Sequence, residues 1–142
     1  MKLKLDVADY PYSIKKQVFL YETDAFGHTN NVAYFQYLES ARFELLKAMH
    51  LFDPRDILSC NYILAHAECD YKKISRYDDI LRIFCRISGI RNSSFGIEHL
   101  IINERTGDLV ATARVVIVAY DHKRGESIPL SEDVKKRLEA FQ

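Results

Sequence analysis

Five residues that can take part in chemistry lie within eight positions of the chain: Asp24, Gly27, His28, Asn30 and Asn31. A carboxylate such as Asp24 can take a proton from water or attack an electrophile itself. The imidazole of His28 can orient that water or hold the carboxylate. Gly27 allows a sharp turn or a close approach of the backbone to a ligand. The group therefore predicts a site that polarises a carbonyl and handles water.

The residues that follow predict one long helix with this polar group at its N-terminus. Apolar residues recur at steps of four, three, four and four, which lays a stripe along one side of a helix. They are Tyr34, Leu38, Ala41, Leu45 and Met49. Asn30 or Asn31 can cap the start, and the helix must end before Pro54. Its first backbone N–H groups have no partner within the helix and favour negative charge.

The remaining pattern is rich in strands. A short strand is predicted at 18–21, before the helix, and four longer ones follow at 62–74, 80–90, 95–103 and 109–120. A short helix opens at Ser131. We therefore expect one domain, 1–142, of the α+β class, with an antiparallel sheet of about five strands wrapped around one long central helix. An exposed sheet face and an edge strand predict a homodimer or homotetramer.

Composition argues against several classes of protein. Lys and Arg number 20, as do Asp and Glu, so the net charge is zero, which argues against a general nucleic-acid binder. No apolar run is long enough to span a membrane, and the segment from Met1 to Tyr10 is not a signal peptide. Cys60, Cys69 and Cys85 lack a CxxC spacing and indicate reduced thiols in a cytoplasmic protein. The histidines have no metal-ligand spacing, so we expect no metal.

Two segments carry recognisable motifs. One is DAFGHTNNVAY at 24–34, followed by LESAR at 38–42, and the other is YKKISRYDDIL at 71–81. They resemble the hotdog-fold acyl-CoA thioesterases, and among these the 4-hydroxybenzoyl-CoA thioesterase-like family. The resemblance runs from about Val18 to Pro129. It implies a hotdog fold and hydrolysis of a fatty or aromatic acyl thioester, carried by coenzyme A or acyl carrier protein, without a metal or cofactor.

The resemblance also implies roles for individual residues. Asp24 acts as general base or nucleophile, and the backbone N–H near Asn31 polarises the thioester carbonyl. His28 is expected to assist catalysis because its imidazole can orient water or hold Asp24. Five further residues are expected at the substrate: Gly27, Asn30, Tyr34, Lys72 and Arg76. The aromatic one suits an acyl pocket, and the two basic ones suit the phosphates of coenzyme A.

Other interpretations stay open. A hotdog hydratase or dehydratase carries a D-x-N-P-x-H type motif, whereas here the histidine follows four residues after Asp24 with no proline between them. A plant acyl-ACP thioesterase has an Asn two residues after the Asp, where this chain has Phe26. A non-catalytic acyl-CoA binding module is a third alternative. Asp24 can also be only a turn residue before Gly27, and Asn30 and Asn31 only helix caps.

Overall fold

The structure is a computed structural model that describes residues 6–142. Eight regular elements follow one another: β1 (Tyr12–Gln17), α1 (Asn31–Ala48), β2 (Tyr62–Tyr71), β3 (Ile80–Ser88), β4 (Ser94–Asn103), β5 (Leu109–Asp121), β6 (Glu126–Ser127) and α2 (Glu132–Glu139). Short 3₁₀ helices lie at Val7–Asp9, Leu20–Glu22 and Ile57–Ser59. Residues 1–5, which belong to the predicted domain 1–142 and to the N-terminal segment discussed above, lie outside the described residues.

Five strands form one antiparallel sheet in the order β1-β3-β4-β5-β2, and the short β6 pairs with the end of β5. In β3 the apolar residues Leu81, Ile83, Cys85 and Ile87 are buried, and the residues between them are half-buried. The sheet curls around α1, so the predicted α+β hotdog fold is confirmed. β6 was not predicted, because two residues carry no visible period.

α1 packs on the inner face of this sheet, with contacts to β3 and β1. The five residues of the predicted stripe are all at most 4% exposed. Burying a large apolar side chain contributes about 1.5–3 kcal/mol, so this stripe fixes the helix against the sheet. Asn30 caps the helix, because its Oδ1 accepts the Val32 N–H at 2.9 Å. No helix within residues 6–142 is long and apolar enough to cross a membrane.

The first strand lies earlier in the chain than predicted. The apolar run at 18–21 indicated a strand, but the strand is Tyr12–Gln17, and the run leads into the 3₁₀ turn Leu20–Glu22. Glu22 stabilises that turn, since its Oε1 accepts the Phe19 N–H at 2.8 Å. β1 is an edge strand that carries two lysines, and charged residues are common on edges. Its sequence therefore lacks the apolar alternation on which the prediction relied.

β2 also differs in length from its prediction. The run predicted at 62–74 ends as a strand at Tyr71. A register shift between Leu64 and His66 confirms the bulge that its imperfect alternation indicated. Beyond the strand, the chain reaches the segment before α1, where the Ser75 carbonyl accepts the Thr29 N–H at 2.8 Å.

Candidate active site

A cleft of about 310 Å³ opens beside the start of α1. Its lining comes from the loop before α1, from the first turn of α1, and from the end of β2 with the loop after it. The polar lining residues at the helix are Asp24, His28, Thr29, Asn31, Tyr34 and Ser75. The wall on the side of β2 is formed by Tyr71, Lys72, Lys73 and Ile74.

The loop before α1 is folded around the Asp24 carboxylate. Its Oδ1 accepts the backbone N–H groups of Phe26 at 2.9 Å and His28 at 3.1 Å. The Asp24 N–H donates in return to the His28 carbonyl at 2.8 Å. Gly27 has a φ of 76°, a left-handed conformation that glycine adopts without strain. Oδ2 has no hydrogen-bond partner within residues 6–142, so one oxygen shapes the turn and the other remains available.

The His28 side chain is half-buried and lines the same cleft. Its ring lies 6.2 Å from the Phe26 ring, between centroids. In the described part of the chain neither ring nitrogen has a hydrogen-bond partner. The backbone N–H of His28 holds the Asp24 carboxylate, and the imidazole does not. The ring therefore stays free to orient a water or a ligand atom.

The start of α1 presents an unpaired donor to the cleft. Asn30 uses its Oδ1 on the Val32 N–H and its carbonyl on the Ala33 N–H, both at 2.9 Å. The N–H of Asn31, the first helical residue, has no acceptor among residues 6–142. Because the N-terminal end of a helix carries a partial positive charge, this N–H is suited to bind a developing oxyanion.

Three hydroxyl groups form the floor beneath these groups. The Ser75 Oγ lies 2.6 Å from the Thr29 Oγ1 and 2.7 Å from the Tyr34 hydroxyl oxygen. The three residues are at most 7% exposed. Burial raises the pKa of Tyr34, although the nearby hydroxyls of Ser75 and Thr29 partly oppose that rise. The Tyr34 phenol is therefore protonated at neutral pH.

The opposite wall combines an aromatic surface with two lysines. The Tyr71 hydroxyl donates to the Asn31 carbonyl at 3.2 Å, and its ring lies 5.3 Å from the Tyr34 ring. The Lys73 ammonium is paired with Asp108 at 3.0 Å. Lys72 makes no ion pair in the residues that the structure describes, so its ammonium is available at the rim.

Five of the eight predicted site residues line the cleft: Asp24, His28, Asn31, Tyr34 and Lys72. Three do not, and each has another local role. Gly27 forms the turn, and Asn30 caps the helix. Arg76 forms an isolated β-bridge with His28, while its N–H donates to Asp79 Oδ2 at 2.8 Å.

Sequence reasoning missed Thr29 and Ser75. Ser75 was taken as the first residue of a polar turn, yet it is 1% exposed. A serine at the start of a polar turn gives no sign of burial. Only the pairing of Thr29 with Ser75, across 46 positions, reveals the hydroxyl row.

The arrangement supplies the parts that attack on a carbonyl requires. A carboxylate oxygen without a partner can activate water or act as the nucleophile. An unpaired N–H at a helix start can bind the oxyanion that forms. An aromatic wall and an available ammonium can hold an apolar group and an anionic group of the same substrate.

Comparison with known proteins supports this chemistry. Residues 18–138 match the thioesterase-like superfamily. The long-chain acyl-CoA thioesterase FadM of Escherichia coli (strain K12) is 24% identical over 119 residues, which cover 84% of this chain and 90% of FadM. A putative esterase of Aquifex aeolicus (strain VF5) is 26% identical over 129 residues, which cover 90% of this chain and 98% of that protein.

A solved structure adds to this likeness. It is a thioesterase from Thermus thermophilus complexed with coenzyme A and Zn, 26% identical to this chain. The two superpose with a TM-score of 0.80, covering 94% of this chain and 95% of that one. Since the family match spans most of the sequence, the chain belongs to the thioesterase-like superfamily, and the predicted hotdog fold and thioester hydrolase class are confirmed.

Proposed function

We propose that the chain hydrolyses acyl-CoA thioesters in the cleft beside the start of α1. The observation that carries this proposal is that two groups at the cleft have no hydrogen-bond partner among residues 6–142. One is the Asp24 Oδ2 and the other is the Asn31 N–H, and both residues line the cleft. A carboxylate and a fixed donor on one small cleft match the two requirements of acyl transfer, a nucleophile and a stabilised oxyanion.

The reaction can start by either of two routes. As a general base, Asp24 takes a proton from water while the water oxygen bonds to the carbonyl carbon. As a nucleophile, Asp24 bonds to that carbon itself, and water later opens the resulting anhydride. In both routes the carbonyl oxygen becomes an oxyanion beside the Asn31 N–H. Collapse breaks the carbon–sulfur bond, and the thiolate leaves and takes up a proton.

The cleft lining supports an acyl-CoA substrate. Tyr34 and Tyr71 give an aromatic surface that suits a fatty or aromatic acyl group. The Lys72 ammonium at the rim suits a phosphate of coenzyme A. The relatives agree with this choice, because FadM is named for long-chain acyl-CoA, and the Thermus thioesterase is complexed with coenzyme A. The alternative substrate is an acyl group on a carrier protein, and the thioester panel described below distinguishes it from acyl-CoA.

The proposal includes a homodimer formed through β2. This ten-residue strand is at the edge of the sheet, and its free edge has no partner strand among residues 6–142. It contains no lysine and no proline, the residues that usually protect an exposed edge. Leu64 and Tyr71 on this strand are each 47% exposed. Antiparallel pairing of two β2 strands would continue the sheet and cover them.

Light scattering tests the assembly. We expect a particle of twice the 16.5 kDa chain mass, and four times that mass if two such dimers associate. Leu64→Asp places a charge in the proposed interface and shifts the particle towards the single-chain mass. A wild-type chain that stays at 16.5 kDa at micromolar concentration contradicts the dimer.

We further propose that residues 1–142 act as one domain in the cytoplasm. All three cysteines are unpaired, with Cys85 buried and Cys60 and Cys69 half-buried. Free thiols are stable in a reducing compartment. Labelling of the unfolded chain with a thiol reagent, taken directly from cells, should therefore modify all three.

A panel of thioesters on the wild type and Asp24→Asn tests the activity. It includes short, long and aromatic acyl-CoAs, the matching acyl carrier protein conjugates, and crotonyl-CoA assayed for hydration. We expect release of thiol from acyl-CoA, with a loss of roughly 100-fold to 10,000-fold in the variant. Asparagine keeps Oδ1 for the two N–H groups of the turn, so the loop should stay folded. Hydration without hydrolysis, or full turnover by Asp24→Asn, overturns the proposal.

A further inference from the structure

The three hydroxyls on the floor of the cleft carry one more O–H hydrogen than the hydrogen bonds between them require. Thr29, Ser75 and Tyr34 carry three O–H hydrogens, while the two contacts between them use two. Within residues 6–142 no other side-chain contact of these three hydroxyls has the geometry of a hydrogen bond, although Thr29 also lies near the Tyr34 hydroxyl. A buried hydroxyl without an acceptor is unfavourable by about 1–3 kcal/mol. The third hydrogen is therefore available to a ligand atom in the cleft.

Tyr34 can carry this free hydrogen, because either oxygen of each contact can be the donor. Thr29 can donate to Ser75 and Ser75 to Tyr34, which leaves the phenol hydrogen unused. Tyr34 follows Asn31 by three positions, so the two lie on one face of α1. Helical side chains lean towards the N-terminus of their helix. The Tyr34 hydroxyl therefore reaches back towards the turn that holds the Asn31 N–H.

We propose that Tyr34 donates its hydroxyl hydrogen to the carbonyl oxygen of the bound thioester, as a second donor beside the Asn31 N–H. Ser75 and Thr29 are positioning residues, which keep the phenol oxygen occupied as an acceptor and its hydrogen directed at the substrate. The inference rests on the proposed thioesterase function. Tyr34 keeps its proton throughout, and its hydrogen bond strengthens as the carbonyl oxygen gains negative charge.

Thr29 and Ser75 are also joined through the backbone. The Thr29 N–H donates to the Ser75 carbonyl at 2.8 Å, and His28 and Arg76 form the next bridge. The loop of Asp24 and the loop after β2 are thus fixed to each other. These two loops carry Asp24, Thr29 and Ser75, so the carboxylate and the two residues that position the Tyr34 hydroxyl are held together.

Three substitutions that remove only a hydroxyl test the inference by steady-state kinetics on an acyl-CoA that the wild type hydrolyses. Tyr34→Phe should lower kcat roughly 100-fold with little change in KM, since loss of one oxyanion donor has about that effect. Thr29→Val and Ser75→Ala should lower kcat about tenfold, because they release the phenol but do not remove it. Thr29→Ser, which restores a hydroxyl, should recover most of the kcat lost in Thr29→Val.

Tyr37→Phe is the matched control. Tyr37 lies one turn further along α1, is 1% exposed, and does not line the cleft. Its substitution should leave kcat within about twofold, as expected for a group away from the transition state. The double variant Thr29→Val with Tyr34→Phe should be no slower than Tyr34→Phe, because both changes remove one donor. Additive losses, or wild-type kcat in folded Tyr34→Phe, overturn the inference.

An infrared measurement tests the Tyr34 hydrogen bond without relying on turnover. The probe is a coenzyme A analogue in which a methylene group replaces the sulfur, bound to Asp24→Asn. A carbonyl that accepts two hydrogen bonds absorbs at lower frequency than one that accepts a single bond. Adding Tyr34→Phe should raise this frequency, and an unchanged frequency overturns the inference.

The outcomes separate this inference from the proposed function. If the wild type hydrolyses thioesters, and Asp24→Asn does not, while Tyr34→Phe is fully active, only the second donor is wrong. If the wild type hydrolyses no thioester, both proposals are wrong.

Discussion

Two clefts of nearly equal volume lie in this molecule, and their polar residues differ in how they are paired. The cleft at the start of α1 measures about 310 Å³, and a second cleft of about 320 Å³ lies on the outer face of the sheet. In the outer cleft, four charged residues of alternating sign face one another across neighbouring strands: Arg86, Glu98, Arg114 and Glu68. Arg86 is 2.6 Å from Glu98 and also lies 4.6 Å from the Tyr10 ring centroid.

Polar groups without partners distinguish a candidate site from a structural row of charges. We call the four residues Arg86, Glu98, Arg114 and Glu68 the outer row. Their charges alternate in sign, so each has a neighbour of opposite charge. The hydrogen bond from Arg86 to Glu98 raises the pKa of Arg86. At the start of α1, the Asp24 Oδ2 and the Asn31 N–H have no such partner among residues 6–142. Asp70 also lines the outer cleft and has no ion pair among residues 6–142, but that lining contains no helix start. Only the cleft at the start of α1 combines an unpaired carboxylate oxygen with an unpaired backbone N–H. The following changes test this distinction, in order of decreasing effect.

Among the changes that leave Asp24 intact, removing the Asn31 N–H should have the largest effect. Asn31→Pro deletes this donor at a helix position where proline is favoured. Asn30, the preceding residue, has φ −62° and ψ 138°, an extended conformation that a following proline requires. We expect kcat to fall roughly 100-fold to 1,000-fold, with a thermal midpoint close to that of the wild type, measured by thioester assay and circular dichroism.

Asn31→Ala is the control for this change, because it removes the side chain and keeps the N–H. An equal loss of kcat in Asn31→Ala would show that the side chain matters and that the backbone donor does not. Full activity in folded Asn31→Pro would contradict the oxyanion assignment directly.

The free energy of unfolding should depend on pH through His99, which is buried behind the outer cleft. His99 follows Glu98 on β4 but is buried, with its Nδ1 3.4 Å from Cys85 Sγ and 3.2 Å from the Phe84 carbonyl oxygen. Burial lowers the pKa of His99 to about 4, and the charge of Arg42 acts in the same direction. The unfolded chain binds this proton near pH 6.5. The stabilisation is therefore complete above about pH 6.5 and is lost as pH falls towards 4.

Urea unfolding at pH 7.5 and pH 5 measures this effect. We expect the His99 contribution to lower the free energy of unfolding by about 2 kcal/mol between these two values. His99→Gln cannot titrate, so its pH dependence should be smaller by that amount, even if the variant is less stable at both values. An identical pH dependence in the two proteins would contradict the burial of a neutral histidine.

The two neighbouring lysines at the rim of the cleft also differ in whether they have a partner. Lys73 is already paired with Asp108 at 3.0 Å, whereas Lys72 has no ion pair within the described residues. Lys72→Ala should therefore raise KM for acyl-CoA about fivefold, equivalent to about 1 kcal/mol, and the increase should shrink in high salt. Lys73→Ala should change KM less. A larger effect of Lys73→Ala would reverse the assignment of the phosphate contact.

The fold could be predicted further than the site, and the reason is physical. α1, β3 and β5 bury continuous apolar faces, and burial leaves a clear period in the sequence, as at Leu81, Ile83, Cys85 and Ile87. β1 is an edge strand with little buried surface, so its period was weak and its position was wrong. A hydrophobic period in the sequence reflects burial of one face of an element, so an edge strand with little buried surface is hard to predict from it.

In the site, contiguous residues were predicted and distant partners were not. Asp24, His28 and Asn31 lie close together in sequence, at and before the helix start, and were identified together. Ser75 reaches them through a contact with Thr29 that spans 46 positions, and no local pattern encodes it. Gly27 and Asn30 belong to the recognised motif, yet the structure gives them turn and capping roles away from the cleft lining.

One pair of substitutions compares the two clefts directly. Asp24→Asn and Glu98→Gln each neutralise one carboxylate, the first beside the start of α1 and the second in the outer row. Hydrolysis of the best acyl-CoA substrate should fall roughly 100-fold or more in kcat/KM for Asp24→Asn and stay within about twofold for Glu98→Gln, whose surface ion pairs are worth about 1 kcal/mol or less in stability. Equal activities in the two folded variants would contradict the assignment of the cleft at the start of α1 as the active site.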